Sequence, residues 1–525
     1  MRETQSSLAR RVAEKRAGVA AAPQAAFPSS ASIAIVGAGF GGLGMAIQLR
    51  KAGITDFVIL EKASSIGGVW RDNTYPGAAC DIPSHLYSYS FAQRFRWSRV
   101  YAPRRDIYRY LQECFREYDL ARHLHLGCEV RSARYDESRG VWHLQTTAGA
   151  SLQARALITA TGQLSRPVYP DIPGLQEFGG KIFHSARWDH NYDLRGKRVA
   201  IIGTGASAIQ FTPRVARKAA QVYLFQRSAA YVLPKLDHRF SPLQHRLFDA
   251  LPFLYRLARA AVYTLYETLG IGFVGWRPAM KPLRAAAMWN LRRAIQDPQL
   301  RLRLTPDYPF GCKRVLFSND YYPALARHNV ELVTARIESA CATGLKTADQ
   351  RSYEVDAVIL GTGFAATELL APMDIVGRAG MRLADVWCNG PEAYLGIAVA
   401  GFPNLFMLYG PNTNLGHNSI IYMLESQIRY VMQAIAHLNS APGTCLEVSA
   451  QAQARYNSRL QQALARTVWS SGCRSWYMSA QGRIVSNWSG FTFTYRRMTR
   501  IFDATQYEVV RAKQPQPLTS RVLSH

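Results

Sequence analysis

A glycine-rich segment near the start of the chain has the spacing of a phosphate-binding turn. Gly37, Gly39 and Gly42 follow a short apolar run at 33–36 and precede a helical pattern that continues to Arg50. Glycines at this spacing let the backbone approach a pyrophosphate closely, and the amino end of the following helix favours its negative charge. The segment therefore predicts a Rossmann-type turn that holds the phosphates of a dinucleotide.

The acidic residue that such a fold needs stands at the end of the next apolar run. Residues 56–60 have the pattern of a strand, and Glu61 and Lys62 follow them. A carboxylate at this point accepts hydrogen bonds from a ribose diol. A glycine motif alone is weak evidence, but a strand, turn, helix and second strand that ends in an acid form a specific succession. We therefore expect both residues to contact a bound dinucleotide.

A second motif of the same kind lies far downstream. Residues 197–202 read as a strand and lead into Gly203, Gly205, Ser207 and Ala208, where alanine replaces the third glycine, as the motif tolerates. A helical pattern comes next. The chain thus carries two turns that are each built to hold a pyrophosphate.

The second motif ends in a base where the first has an acid. The strand pattern at 222–225 is followed by Gln226 and Arg227. The arginine fork suits the geometry of a 2′-phosphate, so Arg227 favours NADPH over NADH. The alternative interpretation is that Arg227 is a solvent-exposed arginine at the end of a strand and binds no phosphate. Two such folds predict two dinucleotides, and we assign a resident FAD to the first and an exchanging NADPH to the second.

The eight cysteines are scattered along the chain, at positions 80, 114, 128, 312, 341, 388, 445 and 473. None falls in a CxxC or CxxxxC pair, which argues against a disulfide framework, a redox-active disulfide and a metal site. We therefore expect a reducing, cytoplasmic environment and no metal. Without a disulfide to reduce, the reduced flavin is expected to pass its electrons to molecular oxygen.

Two longer motifs resemble one family. Phe178, Gly180, His184 and Trp188, placed just before the second glycine motif, resemble the fingerprint of type I Baeyer–Villiger monooxygenases, and residues 67–81 resemble the longer second fingerprint of that family. With further similar segments elsewhere in the chain, the resemblance extends over about residues 30–503. It implies an FAD- and NADPH-dependent oxygenase that inserts one oxygen atom beside a ketone carbonyl to give an ester or lactone.

The resemblance also assigns the reaction centre. Arg314 matches the arginine that lies near the flavin, where a fixed cation stabilises an anionic flavin peroxide. Asp81 matches the acid that orients this arginine. Gly68 and Trp70, in the second fingerprint, are assigned to cofactor binding.

Two further assignments concern the NADP site. Lys313 matches a second 2′-phosphate contact beside Arg227, and Trp476 matches a tryptophan that closes over the NADP ribose. For His184 we expect a linker role that couples NADPH binding to domain movement, not acid–base catalysis, and for Trp188 a packing role. Without the family context, Arg314 is one arginine among many and Asp81 an ordinary turn residue.

The order of these motifs predicts an α/β protein with two Rossmann-like dinucleotide-binding domains and a helical insertion in the second. The expected segments are a mobile basic tail at 1–29, an FAD domain at 30–165 and 390–510, an NADP domain at 166–233 and 306–389, the insertion at 234–305 and a tail at 511–525. Pro167, Pro170 and Pro173 stiffen one crossing between the domains.

The net charge of +27 favours contact with an anionic surface, or a solvated basic face that gathers an anionic cofactor. No nucleic-acid-binding module is recognisable, so we expect no nucleic acid partner. The apolar pattern at 253–269 is interrupted by Arg256, Arg259 and Glu267 and does not predict a membrane span. It predicts a helix packed on its own protein, with peripheral membrane contact left open. The substrate is expected to be apolar.

Other functions share much of this sequence pattern. A flavin monooxygenase that oxygenates nitrogen or sulfur has both glycine motifs, although its fingerprint typically lacks the tryptophan at the position of Trp188. An NADPH oxidase-like flavoprotein has the same fold without the transfer of oxygen to a substrate. A basic binding protein that retains FAD would bind membrane or nucleic acid in a salt-sensitive way without turnover.

Overall fold

A computed structural model of the protein describes residues 26–473 and 475–512. Most of the two predicted tails, 1–29 and 511–525, lies outside these residues. The described chain is built around two sheets whose cores are parallel and whose faces are covered by helices, as expected of an α/β fold. No helix in these ranges is both long and apolar enough to cross a bilayer.

The first sheet has eight strands and contains the first glycine motif. Its strands are β1 Ser30–Val36, β2 Phe57–Glu61, β3 Leu124–Leu126, β4 Val130–Asp136, β5 Val141–Thr146, β6 Ser151–Thr159, β17 Asp374–Val376 and β18 Leu405–Met407. Their order is β17-β4-β5-β6-β1-β2-β3, and β18 pairs with β6. In the centre Ile35 pairs in parallel with Ile59 on one side and Ile158 on the other. Burial on both faces explains why β1 reads as a continuous apolar run.

The second sheet has five parallel strands and contains the second glycine motif. They are β7 Lys181–His184, β8 Arg198–Ile202, β9 Gln221–Phe225, β12 Val330–Val333 and β16 Ala357–Leu360, in the order β12-β9-β8-β16-β7. Val199 and Ile201 pack into the core on one face, while Ala200 packs into the core on the other. This alternation results from the two-residue period of a strand.

Shorter strands form three smaller sheets. These are β10 Val232–Leu233 with β11 Leu316–Phe317; β13 Ile337–Cys341 with β14 Gly344–Thr347 and β15 Ser352–Glu354; and β19 Thr444–Val448 with β20 Tyr507–Arg511. The α-helices are α1 Phe40–Lys51, α2 Val69–Asp72, α3 Arg104–Glu117, α4 Ala206–Val215, α5 Pro242–Ala250, α6 Pro252–Phe273, α7 Lys281–Ala294, α8 Pro298–Arg303, α9 Tyr321–Leu325, α10 Leu383–Val386, α11 Ile420–Ser440, α12 Ala450–Leu464 and α13 Thr492–Met498. Helices α1 and α4 come directly after the two glycine turns, where their amino ends face the carboxyl ends of the strands.

Helices α5 to α8 occupy the segment for which the sequence predicts a helical insertion. Helix α5 begins in a capping box, in which the Ser241 hydroxyl accepts from the Gln244 amide and the Gln244 side chain accepts from the Ser241 amide. Helix α6 is the longest of the four and carries the amphipathic pattern seen in the sequence.

The chain returns to the first sheet earlier than the sequence predicts. Strand β17 pairs in parallel with β4, Ile375 opposite Ala133, although the expected NADP segment extended to residue 389. A strand of three residues is too short to be recognised from hydrophobic periodicity. The chain therefore passes from the second sheet back to the first before it reaches Asp374.

The cysteine spacing led to a wrong expectation. Cys312 and Cys473 form a disulfide, with their Cα atoms 6.3 Å apart and a sequence separation of 161. The spacing rule recognises only pairs that are close along the chain, whereas this pair is brought together by tertiary folding. The remaining six cysteines are free thiols.

Candidate functional site

One large cavity, of about 1280 Å³, brings the two glycine turns together. Gly37 and Gly39 line it from the carboxyl end of β1, and Gly203 and Gly205 line it from the carboxyl end of β8. Ligands of open parallel sheets bind at this end of the strands. The cavity is therefore the place where two nucleotides could meet.

The first glycine of each turn has no room for a side chain. Gly37 has a φ of 107°, and a Cβ atom there would lie 2.6 Å from the carbonyl oxygen of Ala160. Gly203 has a φ of 111°, and its Cβ would lie 2.4 Å from the carbonyl oxygen of Gly361. At Gly42, the third glycine of the first motif, a Cβ would lie 1.8 Å from the Gly37 oxygen. Both turns are thus backbone cradles that fit a pyrophosphate.

Glu61 holds the first turn in place from the end of β2. Its buried carboxylate accepts the backbone N–H of Ala38 at 2.9 Å and that of Ala63 at 3.0 Å, and it pairs with Arg71 at 3.0 Å. Glu61 and the adjacent Lys62 both line the cavity. The acid expected to receive a ribose is therefore fixed in position beside the phosphate cradle.

The second fingerprint lies against the first glycine turn. Gly68 has a φ of 53°, and a Cβ there would approach the Cα atom of Gly39 to 3.3 Å. Trp70, in the short helix α2, lines the cavity and donates its indole N–H to the Tyr87 hydroxyl at 3.1 Å. The small size of both glycines allows this loop to form a second wall of the first nucleotide site.

Two cations meet beyond the end of β9. Arg227 is exposed and lines the cavity with Lys313 and Ser207. Lys313 Nζ donates to Ser228 Oγ at 3.0 Å and lies 4.4 Å from the centre of the Tyr308 ring. Burial lowers the pKa of Lys313, and the nearby charge of Arg227 lowers it further. Two neighbouring cations beside the second turn suit a phosphate ester.

Arg314 and Asp81 form an ion pair on the cavity wall. Arg314 Nη2 and Nε lie 2.6 and 3.2 Å from Asp81 Oδ2. Burial alone would raise the pKa of Asp81, but the charges of Arg314 and Lys235 outweigh it and lower the pKa. Asp81 in turn raises the pKa of Arg314. The two predicted residues are thus in contact, and both are ionised.

Sequence reasoning missed Lys235. It donates from Nζ to the carbonyl oxygen of Cys80 at 3.0 Å, immediately before Asp81 in the chain. It stands at the start of the insertion, outside every motif, so no sequence signal marked it. Lys235 fixes the backbone that presents Asp81 to Arg314.

Trp476 lines the same cavity as the ion pair. Its ring centre is 4.4 Å from that of the buried Tyr477. Burial raises the pKa of Tyr477 to about 12, and the charge of Arg314 opposes this shift. Tyr477, which no sequence prediction had assigned a role, is therefore close enough to Arg314 to be influenced by its charge.

Three of the fingerprint residues form packing contacts and do not line the cavity. Phe178 is buried in the core of the second sheet, and a Cβ at Gly180 would lie 2.5 Å from its ring. Trp188 packs edge-on against Phe183 and also contacts Phe211, at ring distances of 5.1 and 5.4 Å. The packing role of Trp188 stays a prediction.

His184 lies at the crossing between the two sheets. Its ring centre is 5.7 Å from those of Tyr169 and Phe364, and its Nδ1 accepts the Ala186 N–H at 3.1 Å. Residues 167 and 364 pair with each other, so the two chain crossings run side by side here. Burial lowers the pKa of His184 to about 4, which keeps the ring neutral near pH 7.

Part of the segment 412–423 also reaches the cavity. Asn414, Leu415, Asn418 and Ile420 line it. Asn412 does not, because it is buried and donates to the carbonyl oxygens of residues 484 and 487 at 2.9 and 3.1 Å. Side-chain direction in this loop was not readable from sequence.

Comparison with known proteins shows the family. Residues 34–249 match the family described as pyridine nucleotide-disulphide oxidoreductase. Over 489 residues the chain is 46% identical to a Baeyer-Villiger monooxygenase of Pseudomonas aeruginosa, a match that covers 93% of each chain. This protein belongs to the Baeyer–Villiger monooxygenase family. The matched region of the chain includes both glycine turns and the Arg314–Asp81 pair.

Solved structures of monooxygenases share the fold. A structure described as oxidized steroid monooxygenase bound to NADP matches with a TM-score of 0.83 and 32% identity, over 92% of this chain and 100% of that one. The structure of OTEMO in complex with FAD and NADP matches with a TM-score of 0.83 and 28% identity, over 91% and 99%. The predicted α/β fold, the cofactors FAD and NADPH and the Baeyer–Villiger monooxygenase activity are thereby confirmed.

Proposed function

We propose that this Baeyer–Villiger monooxygenase inserts oxygen into an apolar ketone at the cavity wall formed by Arg314 and Asp81. The enzyme uses NADPH and molecular oxygen, and FAD, when bound, supplies the oxygen-activating chemistry. The observation that carries the proposal is the position of this ion pair in the same cavity as the two glycine turns.

Arg314 acts as a fixed cation. Its side chain is 30% exposed toward the cavity while its charge is anchored by Asp81. A preorganised cation stabilises negative charge that develops on oxygen as the carbonyl is attacked, and it needs no reorganisation at that moment. Asp81 orients the guanidinium, and Lys235 is a positioning residue for Asp81.

The remaining cavity residues hold the nucleotides in this proposal. Those for FAD are Gly37, Gly39, Gly42, Glu61, Lys62, Gly68 and Trp70, with Asp81 and Arg314 at the flavin end. Those for NADPH are Gly203, Gly205, Ser207, Arg227, Lys313 and Trp476. The geometry of both turns, the exposed Arg227 and the half-buried Lys313 beside the second turn support this division.

Domain coupling is assigned to Phe178, Gly180, His184 and Trp188. A neutral, buried His184 between the two crossings transmits displacement of one crossing to the other through packing. We propose an FAD domain of residues 30–165 with the chain after residue 373, and an NADP domain of 166–233 with 306 to about 365, separated by the insertion 234–305. The pairing of β17 with β4 supports the earlier return.

The apolar character of the substrate is inferred from the cavity wall. Leu408, Leu415, Ile420 and Leu424 line it. Tyr409, beside Leu408, is close enough to Arg314 for the guanidinium to oppose the burial that raises the pKa of this tyrosine. An apolar group of the ketone would be buried against this wall while the carbonyl lies near Arg314. The transfer of that apolar group from water to the wall favours binding.

The insertion supports peripheral contact with an anionic membrane. On α6 the exposed residues Phe253, Leu257, Ala261 and Leu265 recur every four positions. Residues 234–305 contain twelve Lys or Arg against four Asp or Glu. An apolar stripe in a basic segment fits the headgroup region of anionic phospholipid. A cytoplasmic location is proposed as well, supported by the six free thiols.

Replacing Arg314 by alanine tests the fixed cation. We expect ester formation to fall about a hundredfold or more, while NADPH still reduces the flavin. Product is measured by gas chromatography with mass spectrometry, and flavin reduction by absorbance. The matched control is Arg195→Ala, which removes an exposed arginine paired with Asp193 and should leave both rates unchanged. Native ester formation by Arg314→Ala would refute the role.

Replacing Arg227 by alanine tests coenzyme selection. Loss of a charged phosphate contact should lower the preference for NADPH over NADH by roughly 10- to 100-fold, mainly through a higher KM for NADPH. Steady-state flavin reduction with each coenzyme gives the ratio. Arg217→Ala, which removes an exposed arginine outside the cavity lining, is the control. An unchanged ratio in Arg227→Ala would contradict the assignment.

A series of linear 2-ketones from butanone to decanone tests the apolar substrate. Each buried methylene contributes about 0.8 kcal/mol, so kcat/KM should rise about fourfold per carbon until the pocket is filled. Products must be one oxygen atom heavier than the ketone. A flat or falling series would contradict an apolar pocket. Thioethers of matched length are run in parallel, since oxygenation of sulfur alone would favour the nitrogen- or sulfur-oxygenating alternative.

Vesicle flotation tests the membrane surface. We expect the holoenzyme to float with phosphatidylglycerol-containing vesicles, to float less at high salt, and not to float with phosphatidylcholine alone. Phe253→Glu with Leu257→Glu should weaken binding about tenfold or more, because two exposed apolar anchors are lost. Ile501→Glu, at an exposed apolar residue outside the insertion, is the control. Absence of flotation, or equal loss in the control, would contradict the proposal.

A further inference from the structure

A second cavity, of about 280 Å³, lies where helix α6 of the insertion meets helices α11 and α13. Its lining residues are all different from those of the large cavity. Helix α6 contributes Arg256 and Arg259, α11 contributes Glu425, and α13 contributes Arg496. Among the described residues that line this arginine cavity, Glu425 is the only acid. Three cations therefore face one anion, which leaves an excess of two positive charges.

Arg259 is held in place by the backbone of a neighbouring loop. Its Nη1 donates to the carbonyl oxygen of His85, to that of Ser88 at 3.1 Å and to the Ser88 hydroxyl at 3.3 Å. Burial lowers the pKa of Arg259, while the charge of Glu425 opposes this shift and the charge of Arg496 adds to it. Since an arginine in a protein stays charged, Arg259 and Arg496 repel each other across the cavity. An anion that contacts both side chains would relieve this repulsion.

Arg496 is positioned by stacking and keeps donors that a ligand could use. Its guanidinium carbon lies 4.1 Å from the centre of the Tyr422 ring, which stacks on Tyr263 at 4.9 Å. Its Nη2 is 3.8 Å from Glu425 Oε2, which is longer than a hydrogen bond. Its buried Nε has no hydrogen-bond partner in the described part of the chain. The other oxygen of Glu425 accepts the Ser90 N–H at 2.6 Å, so the acid does not saturate the arginine.

The arginine cavity lies next to the exposed apolar stripe of α6. Ala260 is exposed and lines the cavity, and it follows Leu257 of the stripe by three residues. Arg256, which is exposed as well, follows Phe253 by three residues. Residues three apart on a helix are neighbours on its surface. A molecule with its charged group in the cavity would therefore have an attached apolar chain beside the stripe.

We propose that the arginine cavity binds a phosphomonoester, carried either by a phospholipid headgroup or by a small soluble molecule. A phosphomonoester has a charge of about −1.5 to −2 at pH 7, which matches the excess of two positive charges. Its oxygens accept paired hydrogen bonds from arginine forks. Phosphodiesters and carboxylates have a single negative charge and match the cavity less well. The lipid source rests on the proposed membrane contact of α6, whereas the soluble source does not.

Calorimetric titration with glycerol 3-phosphate tests the site. The full-length enzyme is loaded with FAD and saturated with NADP+, so that both glycine turns are occupied, and glycerol is the control ligand. Arg256→Gln and Arg496→Gln should each weaken binding of glycerol 3-phosphate about tenfold or more, since each removes a charge-assisted hydrogen bond. The matched control is Arg497→Gln, at an exposed neighbour on α13 that does not line the cavity.

Replacing Glu425 by glutamine should have the opposite effect. The variant loses a negative charge that repels the phosphate and keeps a side-chain oxygen that can accept the Ser90 N–H. Binding of glycerol 3-phosphate should tighten about threefold, the size expected of one charge interaction near the surface. A purely structural role of these residues would not give weaker binding in the arginine variants and tighter binding in this one. Weaker binding in Glu425→Gln would contradict the charge match.

Vesicle flotation distinguishes the two sources. Phosphatidylcholine vesicles contain phosphatidic acid, which has a phosphomonoester, or phosphatidylglycerol, which has a diester, at matched surface potential. A lipid source predicts roughly tenfold tighter binding to phosphatidic acid, and Arg256→Gln should abolish this preference. Equal binding to both lipids, with glycerol 3-phosphate bound in calorimetry, would establish a soluble ligand and overturn the lipid source.

Two results would overturn the site itself. One is the absence of glycerol 3-phosphate binding together with no preference for phosphatidic acid, and the other is equal weakening in Arg256→Gln and Arg497→Gln. Neither measurement needs a ketone. A failure to oxygenate ketones, or to bind phosphatidylglycerol vesicles, would contradict the proposed substrate or membrane contact and leave glycerol 3-phosphate binding in the arginine cavity standing.

Discussion

The ion pair between Arg314 and Asp81 is the interaction on which the arrangement of the cavity depends. Asp81 comes from the segment that lies after the first glycine turn, and Arg314 comes from the chain that leads back from the insertion, so the pair joins distant parts of the sequence. A guanidinium in a partly buried cavity is costly without a counter-ion. Asp81 removes that cost and at the same time fixes the direction of the charge. Both glycine turns line the same cavity as this ion pair.

The two glycine turns solve one steric problem in the same way but differ in the charged residue at the end of the next strand. Gly37 and Gly203 approach a neighbouring carbonyl oxygen so closely that no other residue fits. Beyond the first turn Glu61 is buried and held by two backbone N–H groups, whereas beyond the second turn Arg227 is exposed. A locked acid suits a resident cofactor, and an open cation suits one that must bind and leave. The difference between the two sites therefore lies in their electrostatics and exposure more than in their backbone.

Much of this arrangement could be predicted because its signals are local. A glycine turn, the strand before it and the charge after it lie within about thirty residues, and the fold places them by simple strand–turn–helix geometry. The contact of Asp81 with Arg314 required the family resemblance, since 233 residues separate them. Strand β17, the Cys312–Cys473 bond and Lys235 were missed. Each depends on tertiary contacts that leave no periodicity or spacing in the chain.

The insertion is attached to the cavity by the hydrogen bonds of a buried acidic side chain. Glu267 on α6 accepts the backbone N–H of Thr492 at 2.6 Å and its hydroxyl at 2.9 Å, and it also accepts from the side chain of Asn418, which lines the cavity. A displacement of α6 would separate Glu267 from these donors, and breaking hydrogen bonds between buried polar groups is unfavourable. The helix therefore cannot shift independently of the loop that carries Asn418. The same helix exposes Phe253 and Leu257 on its outer face. One helix therefore joins this exposed apolar surface to Asn418 in the cavity wall.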